Sequence, residues 1–243
     1  MTFIQLDTVD STNDYLKAKS QSSFCDDFTT VVARDQTRGK GQHGHAWKSN
    51  PNQNLTFSIL KLIVDMPLID QFKINMAVGL GIIDGLSMSQ SSKFYLKWPN
   101  DIIVDDLKLG GVLIENIVQG QTWKKSIIGI GLNVNQTNFK YLPKATSLAL
   151  IGGKYLSLDE LLFQMTECIK SKLSNIEHQS FDHLKMEYLK ILYRCNVWSR
   201  FQFADGAFFE GKIKGITHSG QLHLLNRSGQ FNDYDLKTIK LIY

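Results

Sequence analysis

Residues 35–47 read DQTRGKGQHGHAW, a stretch that packs Gly39, Gly41 and Gly44 among basic side chains and closes on Trp47. The spacing Gly39-x-Gly41-x-x-Gly44 matches the dinucleotide fingerprint. That fingerprint needs its glycines to close a strand and open a helix whose N-terminus receives a pyrophosphate. The continuation, AWKSNPNQN, is rich in Asn and carries Pro51, so it cannot start a helix directly after Gly44. The stretch is therefore a long connection between two strands, TTVVARD at 29–35 and LTFSILKL at 55–62. A dinucleotide fold organised around this turn is excluded, and neither a GxxxxGK[ST] loop nor a kinase signature takes its place. The chemistry of the loop survives: glycines let backbone N–H groups approach a ligand closely, Lys40, His43 and His45 supply positive charge, and Trp47 a flat apolar face. An anionic, partly aromatic ligand such as a nucleotide suits it.

Outward from this loop, TFIQLD alternates as a strand and DSTNDYLKAK offers Ser11, Thr12 or Asn13 as helix N-caps. Residues 71–90 carry a long helical pattern. KFYLKW, DIIVDD, KLGGVLIENIV and WKKSIIGIGLNV then read as short strands separated by turn signals at Asp105-Asp106 and Gln119-Gly120. Residues 157–193 hold two amphipathic helices, the first capped by Ser157. From Asn196 the texture changes to VWSRFQF, AFFEGKIKGI, GQLHLLN and DLKTIKLIY, short strands with glycine turns. The fold class is α+β: a mixed sheet flanked by helices over residues 1–195, with a small β-barrel over 196–243.

Composition narrows the function. The 243 residues are 43% hydrophobic and 21% charged, with a net charge of +4 and scattered lysines, which argues against a nucleic-acid footprint. Cys25, Cys168 and Cys195 have no Cys-x-x-Cys spacing, so neither a disulfide framework nor a cysteine zinc site is expected. They read as ordinary packed thiols. The isolated His43-x-His45 pair lacks further ligands for zinc. Trp98, Trp123 and Trp198 read as core residues. The N-terminus resembles no signal peptide and no apolar run approaches the roughly 18 residues of a membrane span; a soluble, cytoplasmic protein is expected.

Three further stretches matter as a set: KWPND at 97–101, KLGG at 108–111 and GIGLNVN at 129–135. Each alone is weak, since Lys97 could be a surface cation and Asn100-Asp101 a turn. Together with DSTN and the glycine-rich loop, in this order, they resemble the motifs of the biotin protein ligases, also called biotin–[acetyl-CoA-carboxylase] ligases. The resemblance runs from about residue 3 to the end. It implies the class II synthetase-like catalytic fold with an SH3-like C-terminal barrel. It also implies a two-step reaction, in which biotin and MgATP give biotinyl-5′-adenylate and the acyl group passes to a lysine of a biotin carboxyl carrier domain. By resemblance Ser11, Thr12 and Gln36 bind the biotin ureido region, Gly39, Lys40 and Gly41 lie along biotin, and Gly111 lets its strand pass close to it. Lys108 meets the biotin carboxylate and α-phosphate and, with Lys40, is catalytic. Gln42, His43, His45, Trp47, Lys97, Asn100, Asp101 and Asn133 take the ATP side, with Asp101 as the Mg²⁺ contact.

The match has departures. Where this family commonly reads Gly-Arg-Gly-Arg, this chain has Gly39-Lys40-Gly41-Gln42, which loses the guanidinium forks and one charge. The family's longer members carry an N-terminal DNA-binding helix-turn-helix; Met1 stands just before the first strand, so neither DNA nor a repressor role is expected, and a monomer or homodimer is. Rival readings are a lipoate ligase or octanoyl transferase, against which stands the lack of an Arg-Arg-x-x-Gly-Gly-Gly stretch, and a non-catalytic nucleotide-binding adaptor.

Overall fold

The computed structural model describes residues 2–140 and 142–243, with every side chain among them except that of His43. The N-terminal half builds a seven-stranded mixed sheet from β1 (Phe3–Val9), β2 (Thr30–Gln36), β3 (Leu55–Leu62), β4 (Tyr95–Lys97), β5 (Asp101–Val104), β6 (Leu107–Gln119) and β7 (Thr122–Leu132). Their order across the sheet is β1-β2-β3-β7-β6-β5-β4. Among neighbouring strands of this sheet only β1 and β2 pair in parallel, the crossover between them running through helix α1 (Thr12–Ser22); the remaining pairs are antiparallel.

The sheet separates two cores of unequal size. Alternation along β3 and β7 sends Leu60 and Ile127 to one face, where with Val31 they enclose Leu16 of α1. Phe57, Ile59, Ile128 and Ile130 point the other way, into the main core. There they meet α2 (Phe72–Ser89), α4 (Leu158–Leu173) and α5 (Phe181–Ile191); the five-residue α3 (Leu148–Gly152) lies between β7 and α4 in the chain. Each large apolar side chain so buried contributes about 1.5–3 kcal/mol. Helix α2 packs on α4 through glycine: a Cβ at Gly81 would sit 2.6 Å from the Ile169 Cα, and one at Gly85 2.7 Å from the Met165 Sδ.

The C-terminal strands β8 (Trp198–Phe203), β9 (Phe208–Ile216), β10 (Leu222–Asn226), β11 (Phe231–Tyr234) and β12 (Ile239–Ile242) form a second, antiparallel sheet ordered β11-β10-β9-β8-β12. It is fastened to the body at the β9–β10 turn. Gly220 accepts a 2.9 Å hydrogen bond from the Trp98 indole, and His218 stacks on Phe181 while reaching Asp70 at 3.5 Å. Trp98 and Trp123 are buried as their sequence predicts. Trp198 is not: it sits partly exposed on the outer face of the second sheet, because Phe201 and Phe203 claim the inner face and lie an odd number of positions along the strand from it.

Candidate active site

The glycine-rich stretch folds back on itself between β2 and β3. Trp47 N–H donates to the Gly39 carbonyl at 2.8 Å and Gly41 N–H to the His45 carbonyl at 2.7 Å, with Lys40 bridged to Ala46. Gly44 has φ +78°, a left-handed turn that explains its residue type, and no helix follows it. The closed ribbon lays the Trp47 ring on β7, where only glycine fits: a Cβ at Gly131 would lie 2.4 Å from Trp47 Cε2. The Trp47 Nε1 is buried and has no hydrogen-bond partner among the described residues.

Beneath the ribbon lies a cleft of about 890 Å³. One end is a polar network at the start of α1. Ser11 caps the helix on the Asp14 N–H, and Thr12 donates to Gln36 Oε1 from both its amide, at 2.8 Å, and its hydroxyl, at 3.1 Å. Ser58 Oγ stands 2.8 Å from Thr12 Oγ1 and 2.6 Å from Asn13 Oδ1, and Asn13 donates to Glu115 at 2.8 Å. Gly129 makes room for this network, since a Cβ there would lie 2.2 Å from the Asn13 oxygen.

The other end is charged. Asp101 holds Lys108 Nζ at 2.5 Å on one oxygen and Lys97 Nζ at 3.3 Å on the other. Lys97 is buried, and desolvation lowers its pKa below the usual lysine value against the pull of Asp101. The Tyr243 ring lies 5.1 Å from its ammonium, and burial, with Asp101 nearby, pushes the Tyr243 phenol up to about 12. Two cations sharing one carboxylate leave a net positive site that an anion would neutralise. Opposite Asp101 in the β5–β6 register stands Gly111, where a Cβ would meet nothing nearer than 3.7 Å. The protein's own packing does not require glycine there; the space above it opens to the cleft.

The structure brings Ser11, Thr12, Gln36, Lys40, Gly41, Gln42, His45, Trp47, Lys97, Asn100, Asp101, Lys108 and Gly111 to the wall of one cleft. Gly39 lies instead on a smaller groove behind the ribbon. Asn133 is also off the wall: it is buried and donates to the Thr146 carbonyl at 3.0 Å, holding the segment that backs β6. The side chain of His43 lies outside the described residues. Asn100 spends its amide on the Val112 carbonyl at 2.8 Å, fixing the turn that presents Asp101. Asp101 does not fit the expected metal contact. Both of its oxygens are engaged by ammonium groups, which a cation at the carboxylate would have to displace, and no group of three His, Cys, Asp or Glu stands together among the described residues. Lys40 is bound to Asp14 at 2.7 Å, a hydrogen bond that raises its pKa. Cys168 and Cys195 have thiols raised by burial, which does not suit nucleophiles.

Sequence reading missed Ser58 and Glu115, whose partners are distant along the chain, and the contribution of the second sheet. Gln202, Phe203, Thr238 and Lys240 all line the cleft. Only the order of the motifs hinted at a shared wall.

The model of the biotin/lipoate A/B protein ligase family matches residues 6–133. The chain is similar to the biotin protein ligase from Aquifex aeolicus in complex with biotin and ATP, at 27% identity and a TM-score of 0.81 over 99% of this chain and 98% of that one. Among curated proteins it is 26% identical over 205 residues to the bifunctional ligase/repressor BirA of Bacillus spizizenii, covering 83% of this chain and 62% of that protein. It is 33% identical over 154 residues to the biotin–[acetyl-CoA-carboxylase] ligase of Mycobacterium tuberculosis, covering 61% and 56%. The chain thus spans less than two thirds of the curated relatives it matches. More than half of the chain fits the family model, and the matched span holds the glycine-rich ribbon, the polar network and the lysine pair: the chain belongs to the biotin/lipoate A/B protein ligase family.

Proposed function

We propose that the protein is a biotin protein ligase, and that the lysine pair about Asp101 is the observation that carries the reading. A carboxylate oxygen of biotin attacks the α-phosphate of ATP, the bond to the β-phosphate bridging oxygen breaks, and pyrophosphate leaves. Charge on the phosphoryl oxygens is met by Lys108 and Lys97, which Asp101 holds in position. In the second step a lysine amine of a biotin carboxyl carrier domain attacks the acyl carbon and AMP departs. The Thr12–Gln36 network supplies donors and acceptors for a cyclic urea at the far end of the cleft. Trp47 and Gly131 form a flat apolar shelf between the two. Mg²⁺ enters as part of the MgATP substrate. The catalytic work belongs to residues 1–195, with residues 196–243 closing the cleft, in a cytoplasmic enzyme; among the described residues no helix is long and apolar enough to cross a membrane.

The relatives' names support biotin over other acids. The test is ATP–pyrophosphate exchange with each acid in turn. Exchange driven by biotin supports the reading; exchange driven by lipoate or octanoate selects an acyl ligase of the sister type; none with any acid selects a nucleotide-binding adaptor.

A further inference from the structure

The outer face of the C-terminal sheet has no role in the chemistry above, yet it begins at the cleft. Side chains alternate along its strands: Phe201, Phe209 and Ile213 fill the inner face, while Trp198, Arg200, Phe208, Glu210 and Lys212 point outward. The register sets these outward residues side by side. Gln202 pairs with Lys240 on one side and Phe208 on the other, and Trp198 pairs with Lys212. Each aromatic ring carries a cation. The Arg200 guanidinium lies 3.9 Å from the Phe208 centroid, and Lys212 and Arg227 lie 4.9 and 3.9 Å from that of Trp198. Glu210, opposite Arg200 in the register, is engaged by Arg227 at 2.8 Å; Arg200, Lys212 and Lys240 make no ion pair within 4.0 Å with any described residue, so the face keeps an excess of cations. Phe208 is 49% exposed, so the patch is apolar as well as cationic. At its edge Gln202 and Lys240 also line the cleft.

We propose that this face docks the acceptor protein, and that the partner presents carboxylates and an apolar spot beside the lysine to be modified. The proposal rests on the ligase reading. Charge complementarity names the acidic partner, because unneutralised cations spread over aromatic rings form the half of an interface that carboxylates complete. Continuity names it as the acceptor. With strands about 4.8 Å apart and residues about 3.3 Å apart along them, Trp198 lies roughly 15 Å from Lys240 at the cleft. A small globular domain seated on the patch can therefore reach the cleft with one lysine. A nucleic acid is disfavoured by the small number of cations and the exposed apolar rings.

The test separates the two half-reactions. The full-length Arg200→Glu/Lys212→Glu protein is compared with its parent in biotin-dependent ATP–pyrophosphate exchange and in biotinylation of a purified biotin carboxyl carrier domain. Lys124→Glu/Lys154→Glu, with the same charge change at exposed positions on the body, is the control. Exchange is expected to stay unchanged in every variant, which also reports an intact cleft. The KM for the carrier domain should rise roughly tenfold or more in the Arg200/Lys212 variant alone, with kcat unchanged and a shallower dependence on salt. Unchanged carrier KM with normal exchange overturns the docking face and leaves the ligase reading standing. An equal rise in the control shows a general effect of charge and also overturns it. Absence of biotin-dependent exchange in the parent overturns the ligase reading itself, and the acceptor as occupant with it.

Discussion

At the scale of single residues, the account turns on charge held in a confined place. Lys108 is accessible to a ligand and is held by Asp101, so it can follow charge as it develops on a phosphoryl group. Lys108→Ala should slow adenylate formation by about 10²–10³-fold, the effect of removing one donor of this kind, while circular dichroism stays unchanged; near-normal exchange by the folded variant would remove Lys108 from the mechanism. Lys97 gives a prediction of opposite sign for stability. Burial lowers its folded pKa below its ordinary 10.5, so between the two values the unfolded chain binds more protons and stability rises with pH. Lys97→Met removes a charge that is costly to bury and leaves Asp101 paired with Lys108. It should be more stable than the parent at pH 7, because the desolvation cost is removed while Asp101 keeps an ammonium partner in Lys108. The advantage should narrow as pH rises towards 10.5, and exchange should fall. Denaturant titrations at several pH values check this; a variant less stable than the parent at pH 7 would show that the ion pair, not its desolvation, dominates there.

At the scale of elements, the ligase reading gives the glycine-rich ribbon the task of retaining the adenylate. The ribbon's backbone bonds close it over the cleft, where Gln42 offers a neutral amide and not a guanidinium. A charged hydrogen bond contributes about 1.5–3 kcal/mol against about 1 for a neutral one, so Gln42→Arg should slow escape of biotinyl-adenylate by up to about tenfold. Trapping released adenylate measures it, and unchanged release would mean that Lys40, latched to Asp14, already fills the role. Much of this level was legible. Alternation located most strands, Ser157 caps α4 on Glu160, and the helix read over 71–90 is observed over Phe72–Ser89. The strand β11 and the helix α3 were not, because FNDY is largely exposed and shows no apolar alternation, and LALIG is too short to show a helical period. At the site, the cleft-facing motifs were readable because glycines, lysines and a paired amide and carboxylate crowd into short stretches of unusual composition. Asn133, bonded to the Thr146 carbonyl, and Gly39, on the smaller groove, share those types away from the cleft wall, a placement that only the fold reveals.

At the scale of the molecule, two sheets share one cleft. The Trp98 indole ends in the second sheet, and Gly220 lies against Phe72 so closely that a Cβ there would be 2.3 Å from its ring. Truncation after residue 195 would therefore strip one wall of the cleft and bare the buried Trp98 and Phe72. Such a protein should lose carrier biotinylation more than biotin binding, with a lowered melting temperature; equal biotinylation by truncated and full-length chains would show that the second sheet is dispensable. On the ligase reading the biotin carboxylate itself attacks the α-phosphate. This step is tested most directly with biotin labelled with ¹⁸O in its carboxylate, MgATP and a purified carrier domain, followed by mass spectrometry of the AMP released. Attack by the carboxylate leaves one biotin oxygen on phosphorus when the acyl group departs, so AMP should carry one ¹⁸O for every carrier modified; unlabelled AMP alongside biotinylated carrier would contradict it.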